Sequence, residues 1–368
     1  MLHILYLSHS GSIIGGAEQQ LYYLVTNLDR DRCQPSVICP EDGVFANQLR
    51  DANIPTTVVP LPEWRKTKSI PFRYAAATRL IDFVKQHAVH IVHAPDSWLS
   101  PYGWRVKKCL RVPAISHVRN LIDHKRVRKY RFDRMDRLIA ISEQMKAPLV
   151  QSGISPEKID VIVNCVDLSV FKSMGVQRNI LCEEFPLGRF VIGMVGRIEP
   201  FKRQKEFILA ASHVVKECQD VSFLIIGEAH PIAEHLAYER EVRQLVSELK
   251  LTAYVTFTGH RTDMSAVMQG LDLLVTASAG SVIAEAMAAG KPVIGTPIGS
   301  TTDMIDDGTT GWVVPLSPIE GMSTKIMWLA QNPSLCTQMG RAGRTRAERH
   351  FSIAEHVQQV QAIYDQLA

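Results

Sequence analysis

Short apolar, β-branched runs alternate with longer amphipathic stretches along nearly the whole chain. Thirteen of these runs read as strands: HILYLS, PSVICP, TTVVPL, VHIVHA, PAISHV, RLIAIS and DVIVN, then FVIGMVG, SFLIIGE, YVTFTG, LDLLVTAS, KPVIGT and GWVVP. Between most of them lie helical segments such as AEQQLYYLVTNL, ATRLIDFVKQH, KEFILAASHVVKE and YEREVRQLVSELK. Strands alternating with helices of this length predict parallel sheets with helices on both faces. The strands are apolar throughout rather than at every second position, which fits burial on both sides. The alternation pauses in DLSVFKSMGVQRNILCEEFPLGR, an irregular polar stretch that puts a domain boundary near residues 170–188. The expected fold is therefore α/β, with two doubly wound domains facing each other across a cleft. The first spans residues 1–172 and the second 173–350, and SIAEHVQQVQAIYDQLA forms a closing helix within 351–368. Ligands of such sheets bind beyond the carboxyl ends of the strands.

Composition narrows the class only a little. The 368 residues are 46% hydrophobic and 21% charged, enough apolar material for a large core. A formal net charge of +4 is too small to argue for nucleic acid. The seven cysteines are scattered and form no C-x-x-C pair, so reduced thiols in a cytoplasmic protein are expected rather than disulfides or zinc. MLHILYLSHSG reads as a first strand rather than a signal peptide, and no apolar run reaches transmembrane length.

Three stations carry candidate chemistry. In VTASAGSVIAEAMAAGKPVIGT a helix is expected to begin on Gly280 and Ser281, its amides with that of Val282 open to an anion. Glu285 follows on a similar face. A carboxylate repels phosphate, so Glu285 suits neighbouring hydroxyls such as those of a ribose; Gly290 ends the helix. In GMVGRIEPFKRQ, Arg197 and Lys202 follow a strand directly and suit a diphosphate, one as a fork and one as a point charge. Arg203 and Lys205 read as a solvated turn. In SHSGSIIGGAEQQLYYLV, Gly15 and Gly16 let backbone amides approach a phosphate or sugar, and Glu18 reads as a first-turn partner of the helix dipole. This loop lacks G-x-G-x-x-G, which weighs against a nicotinamide cofactor.

GGAE, GRIEPFK, VIVNCVDLSVF, LLVTASAGSVIAEAMAAGKPVIGT and DDGTTGWVV occur in the order seen in family-four glycosyltransferases, and the chain resembles that family over nearly its whole length. The resemblance implies a GT-B fold, with the nucleotide-sugar donor held mainly by the C-terminal domain and the acceptor by the N-terminal one. It implies metal-independent transfer of a hexose, from a UDP-sugar by family usage, with retention of anomeric configuration. The acceptor would be a glycan or a polyprenyl-linked oligosaccharide. By position it makes Arg197 and Lys202 diphosphate ligands and Glu285 the ribose ligand, with Gly16, Ser281 and Val282 framing the phosphates. VTFTGHRTDM resembles the base-binding turn, near Gly259, His260 and Arg261. The family often places a histidine at the end of the strand in PAISHVRNL. An ungapped match gives Arg119, with His117 two residues earlier on the same strand face, and His117 is the favoured donor to the leaving phosphate or sugar.

The sequence also departs from the family pattern. The carboxylate that usually precedes Glu285 falls on Ala277, and the interval from Asp272 to Glu285 is about four residues short by the notional family spacing. Val163, Cys165 and Asp303 replace Pro, Gly and Glu. The missing carboxylate leaves room for a catalytically impaired nucleotide-sugar-binding protein. Asp29–Asp31 is an Asp-x-Asp at the end of a helix and reads as a surface turn, not a metal site. Arg65, Lys66, Lys68, Arg105, Lys107, Lys108, Arg111 and the run His124–Arg134 lie near Trp64, Trp98, Tyr102 and Trp104. This mixture suits an anionic membrane surface, so peripheral contact at the inner membrane face through the first domain is expected.

Overall fold

The computed structural model describes residues 1–12, 15–64, 70–171, 179–277 and 280–368. Arg65, Lys66 and Lys68 of the basic cluster lie outside these residues.

All thirteen runs form strands. β1 (Leu2–Leu7), β2 (Cys33–Cys39), β3 (Thr56–Val58), β4 (Ile91–Ala94), β5 (Ala114–Val118), β6 (Arg137–Ala140) and β7 (Ile159–Val161) make one sheet, in the order β3-β2-β1-β4-β5-β6-β7. β8 (Phe190–Val195), β9 (Val221–Ile226), β10 (Val255–Gly259), β11 (Leu273–Thr276), β12 (Val293–Gly295) and β13 (Gly311–Val313) make the other, in the order β10-β9-β8-β11-β12-β13. Every strand pairing is parallel. In both sheets the first strand lies between the second and the fourth. The order of winding therefore reverses there, and that is where doubly wound sheets take their ligands.

Burial accounts for the unbroken apolar runs. Ile4 to Leu7 of β1 and all six residues of β9 are buried. Parallel strands covered by helices on both faces leave no polar side to write into the sequence. Edge strand β3 is short and partly exposed, as edges that avoid further pairing are.

The chain divides into two compact units. One holds Met1–Asn164 together with Ile353–Ala368, and the other holds Cys165–Ser352. The passage between units thus falls at 164/165, where the sequence pattern suggested 172/173, because residues 165–171 pack within the second unit. The Val166 amide bonds the Phe351 carbonyl at 2.8 Å, Phe171 is buried, and the Phe171 carbonyl accepts from Arg344 at 2.6 Å. The closing helix, Ile353–Leu367, belongs to the first unit. Its Val357, Val360, Ile363 and Tyr364 share a core with Ile4, Tyr6 and Ile91. Among the described residues no helix is long and apolar enough to cross a membrane.

Candidate active site

In the second unit, β8 and β11 are neighbours at the point where winding reverses, so the loops after Val195 and Thr276 leave the same edge of the sheet. The first carries Arg197 and Lys202. Its backbone is pinned on both sides: the Gly196 amide bonds Ile226 O at 2.9 Å, the Ile198 amide bonds Glu228 O at 3.0 Å, and buried Gln204 donates to Arg197 O at 2.8 Å. Glycine is required opposite this loop. A Cβ on Gly227, whose φ is +134°, would stand 2.2 Å from the Gly196 oxygen.

Lys202 folds back over Gly196, its Cε within 3.2 Å of where a Cβ would be. Burial holds its ammonium below the ordinary lysine range; Glu199 works against that shift and Arg197 adds to it. Arg197 extends outward with 64% of its side chain exposed, and Nη2 lies 3.4 Å from Oε1 of Glu199. The structure thus brings both predicted diphosphate ligands onto one turn and adds Glu199, which the sequence reading passed over. Its only sequence signal was an acidic residue in a turn between two cations.

After β11 the helix runs Val282–Ala288, with Ser281 at the N-cap. The Ser281 hydroxyl does not cap the first-turn amides; it donates to Glu285 Oε1 at 2.8 Å. A Cβ on Gly280 would meet nothing closer than 3.8 Å, so packing within the chain does not demand glycine there. Burial raises the Glu285 carboxyl above the usual carboxylate range, and the Ser281 bond partly offsets this. Gly290 does end the helix. Its φ is +73°, its amide bonds Met287 O, and the Lys291 amide bonds Ala286 O; this is a Schellman cap. Ala277, where the family pattern has a carboxylate, is 1% exposed.

At the end of β10, Gly259 adopts φ +72°, its carbonyl accepts the Gly227 amide at 2.9 Å, and His260 is exposed. Arg261 is already engaged. Its guanidinium bonds Glu184 and, at 2.6–2.8 Å, Asp263, and these bonds hold both carboxyls below their usual range. The open groups of this turn are therefore its backbone and His260.

In the first unit, Gly15 is the N-cap of the helix Gly16–Thr26. Its amide donates to Glu18 Oε2 at 3.0 Å, which makes Glu18 the first-turn partner that the sequence suggested. Nothing crowds Gly16 within 4 Å of an added Cβ. His117, near the end of β5, is 1% exposed. Its Nδ1 accepts from Arg119 Nη2 at 3.1 Å, while Arg119 also donates to Pro95 O at 2.9 Å and Asn164 Oδ1 at 2.7 Å. The pair forms part of a buried cluster that the sequence did not foreshadow. The His93 ring lies 4.8 Å from that of His117, and its Nδ1 meets the Tyr364 hydroxyl at 2.7 Å; that hydroxyl also meets Tyr6 at 2.7 Å. Burial lowers His93 to about 3 and His117 well below its ordinary value, and it lowers His356 of the closing helix, whose Nδ1 lies 3.0 Å from Val163 O, to about 4.

Ser10, Ser12, Glu41, Trp98 and Tyr102 line a cavity of about 460 Å³ at the carboxyl ends of β1, β2 and β4. Burial opposes ionisation of Glu41, but the Gly11 amide and the Ser10 and Ser12 hydroxyls outweigh it and hold the carboxyl below its usual range. A larger cavity, about 590 Å³, opens beside Phe190, Val221 and Asp272 at the opposite, amino ends of the second sheet and holds none of the predicted groups. Among the described residues no cluster of three or more His, Cys, Asp or Glu is arranged to hold a metal.

Comparison with known proteins gives this arrangement a family. The model for glycosyl transferases group 1 matches residues 180–346, and that for glycosyltransferase family 4 matches residues 14–170. The chain belongs to the group 1 glycosyl transferases. Among curated relatives of this glycosyltransferase, the D-inositol 3-phosphate glycosyltransferase of Corynebacterium kroppenstedtii is 26% identical over 328 residues, 81% of this chain and 72% of the relative. The trehalose synthases of Thermococcus litoralis and Pyrococcus furiosus are 25% identical over 270 residues, 70% of this chain and 62% of theirs. Among solved structures, Anabaena HepE in complex with UDP superposes with a TM-score of 0.86 at 22% identity, over 99% of this chain and 100% of that one. Sucrose-phosphate synthase from Thermosynechococcus elongatus gives 0.82 at 18% identity, over 100% and 99%. These likenesses show the fold: two Rossmann-like α/β units of the GT-B type.

Proposed function

We propose that this glycosyltransferase moves a hexosyl unit from a nucleoside diphosphate sugar, with UDP favoured, to a hydroxyl of a glycan or lipid-linked oligosaccharide, without a metal and with retention. One observation carries the reading: Arg197 and Lys202 share a single hydrogen-bonded turn at the carboxyl end of β8, and the neighbouring strand β11 leads into the helix Val282–Ala288 that carries Glu285. HepE, the UDP-bound relative in fold, supports the choice of base. The anomeric C–O bond to the diphosphate breaks, and negative charge grows on the leaving oxygens. Arg197 and Lys202 meet that charge more strongly in the transition state than in the ground state. Glu285 takes ribose hydroxyls, and the backbone at Gly259 and His260 faces the base. The acceptor oxygen bonds the anomeric carbon, and its proton passes to the departing phosphate. The cavity at Glu41, Trp98 and Tyr102 is the proposed acceptor seat, with hydroxyl-binding and stacking groups side by side.

The proposal includes a cytoplasmic site of action at an anionic membrane face. Phe72 is 65% exposed. Near it in sequence, Arg73 stacks 4.9 Å from Trp64 and Arg105 5.2 Å from Tyr74; Arg131 lies 4.8 Å from Trp104. Sedimentation with liposomes tests this: co-sedimentation is expected with anionic vesicles, and equal behaviour with neutral ones contradicts it.

The test of the reaction is release of UDP from UDP-glucose in the presence of acceptor glycans, run beside calorimetric titration with UDP. Binding with turnover supports transfer. Binding without turnover on any acceptor supports a second reading, a nucleotide-sugar-binding protein, which Ala277 favours because a methyl group cannot hold the donor sugar as a carboxylate can.

A further inference from the structure

Glu199 sits oddly for a diphosphate site. It is a carboxylate with 11% of its side chain exposed, placed on the turn that holds both cations. An anion there weakens ground-state binding of a diphosphate, so its place calls for a compensating effect. The geometry offers one. The Glu199 carbonyl accepts the Lys202 amide at 2.9 Å, and the preceding Ile198 amide is tied to Glu228 O, so the residue starts from a fixed backbone. Its two oxygens face different partners, Oε1 toward Arg197 Nη2 at 3.4 Å and Oε2 toward His235 Nε2 at 3.6 Å. His235 lies on the helix Ala233–Glu248 with only 15% of its side chain exposed, next to the carboxylate oxygen that does not face Arg197. Among the described residues, Glu199 is the one side chain bonded to the otherwise outstretched Arg197 guanidinium.

We propose that Glu199 is a positioning residue: backed by His235, it aims Arg197 at the leaving diphosphate. An exposed arginine loses rotamer entropy when it is ordered, and a fixed anion beside it reduces that loss before the donor arrives. The 3.4 Å contact is longer than a tight charge-assisted bond of about 2.8 Å, so the guanidinium can exchange it for a phosphate oxygen. This role rests on the proposed donor site and gives a signature that simple loss of structure does not, because binding and turnover move in opposite directions.

The experiment measures UDP affinity by calorimetry and turnover of UDP-glucose for the wild type, Glu199→Gln, Glu199→Asp, Arg197→Ala and the Arg197→Ala/Glu199→Gln double variant. Glu199→Gln removes the anion at constant size. It is expected to tighten UDP about 3- to 10-fold and to lower kcat by about tenfold or more. Glu199→Asp keeps the charge but withdraws it by one methylene, so kcat falls while UDP affinity holds. In the Arg197→Ala background, Glu199→Gln changes kcat less than about twofold, because the two residues act as one unit. Unchanged kcat in both Glu199 variants overturns the proposal, as does weaker UDP binding in a folded Glu199→Gln, or an undiminished effect of Glu199→Gln without Arg197. If Glu199→Gln does not fold, Glu199→Asp decides by the same kcat criterion. A wild type that binds no UDP overturns the donor site itself, and with it this role.

Discussion

Arg197 and Lys202 differ in how the chain holds them, and their variants should differ accordingly. Arg197 is exposed and contributes little to packing, so Arg197→Ala should leave the melting temperature nearly unchanged while lowering kcat by about 10²- to 10³-fold, the usual loss for a donor aimed at developing charge. Lys202 lies against Gly196 with its ammonium held below the usual range by burial. It therefore loses its proton at lower pH than an ordinary lysine, and UDP affinity should weaken as pH rises through that shifted value. Calorimetry over the neutral-to-alkaline range should show this slope in the wild type and a flattened one in Lys202→Met. His117 shows where residue-level reading stops. The spacing put it on a strand end and on the same face as Arg119, but a strand end does not say whether a side chain meets a ligand or the interior. In the structure its ring lies 4.8 Å from that of His93 and its Nδ1 accepts from Arg119, partners that the strand pattern did not announce.

At the level of elements, the pattern of apolar runs was almost sufficient. Parallel strands buried on both faces are written as continuous apolar segments, and all thirteen could be read. Helix starts were less legible. Ser281 followed by a helical run looks like a capping serine, but its hydroxyl goes to Glu285, and the helix begins at Val282. The turn after β8 depends on close backbone approach that sequence does not display. Gly227 supports it by leaving room for the Gly196 carbonyl. Gly227→Ala places a Cβ 2.2 Å from that oxygen at φ +134°, so a loss of about 1–3 kcal/mol is expected, read by chemical denaturation, together with weaker UDP binding as the turn shifts. A variant with unchanged stability and affinity would show that the turn is not held in this way.

At the scale of the whole molecule, the ends of the chain meet in one unit. Tyr364 joins Tyr6 and His93 by hydrogen bonds across separations of 358 and 271 residues, contacts that no local pattern could have announced. Tyr364→Phe strands two buried polar groups and should cost roughly 1–3 kcal/mol in denaturant unfolding. The buried histidines give the fold an acid limit. Unfolded, each takes up a proton below its ordinary value of 6.5; folded, His356 does so only near 4 and His93 near 3. The unfolded chain thus binds more protons in this window, and stability present above pH 6.5 is lost as pH falls toward 4, at up to about 1.4 kcal/mol per unit for each such histidine. Thermal melts across this range should show the decline, and His356→Gln should make it shallower.

Titration of the whole chain with UDP, compared with the Arg197→Ala/Lys202→Met variant, tests the account most directly. Specific saturable binding by the wild type and a loss of about 100-fold or more in the variant are what two phosphate-facing cations predict. Equal affinity in both proteins, or no binding of UDP by the wild type, would contradict it.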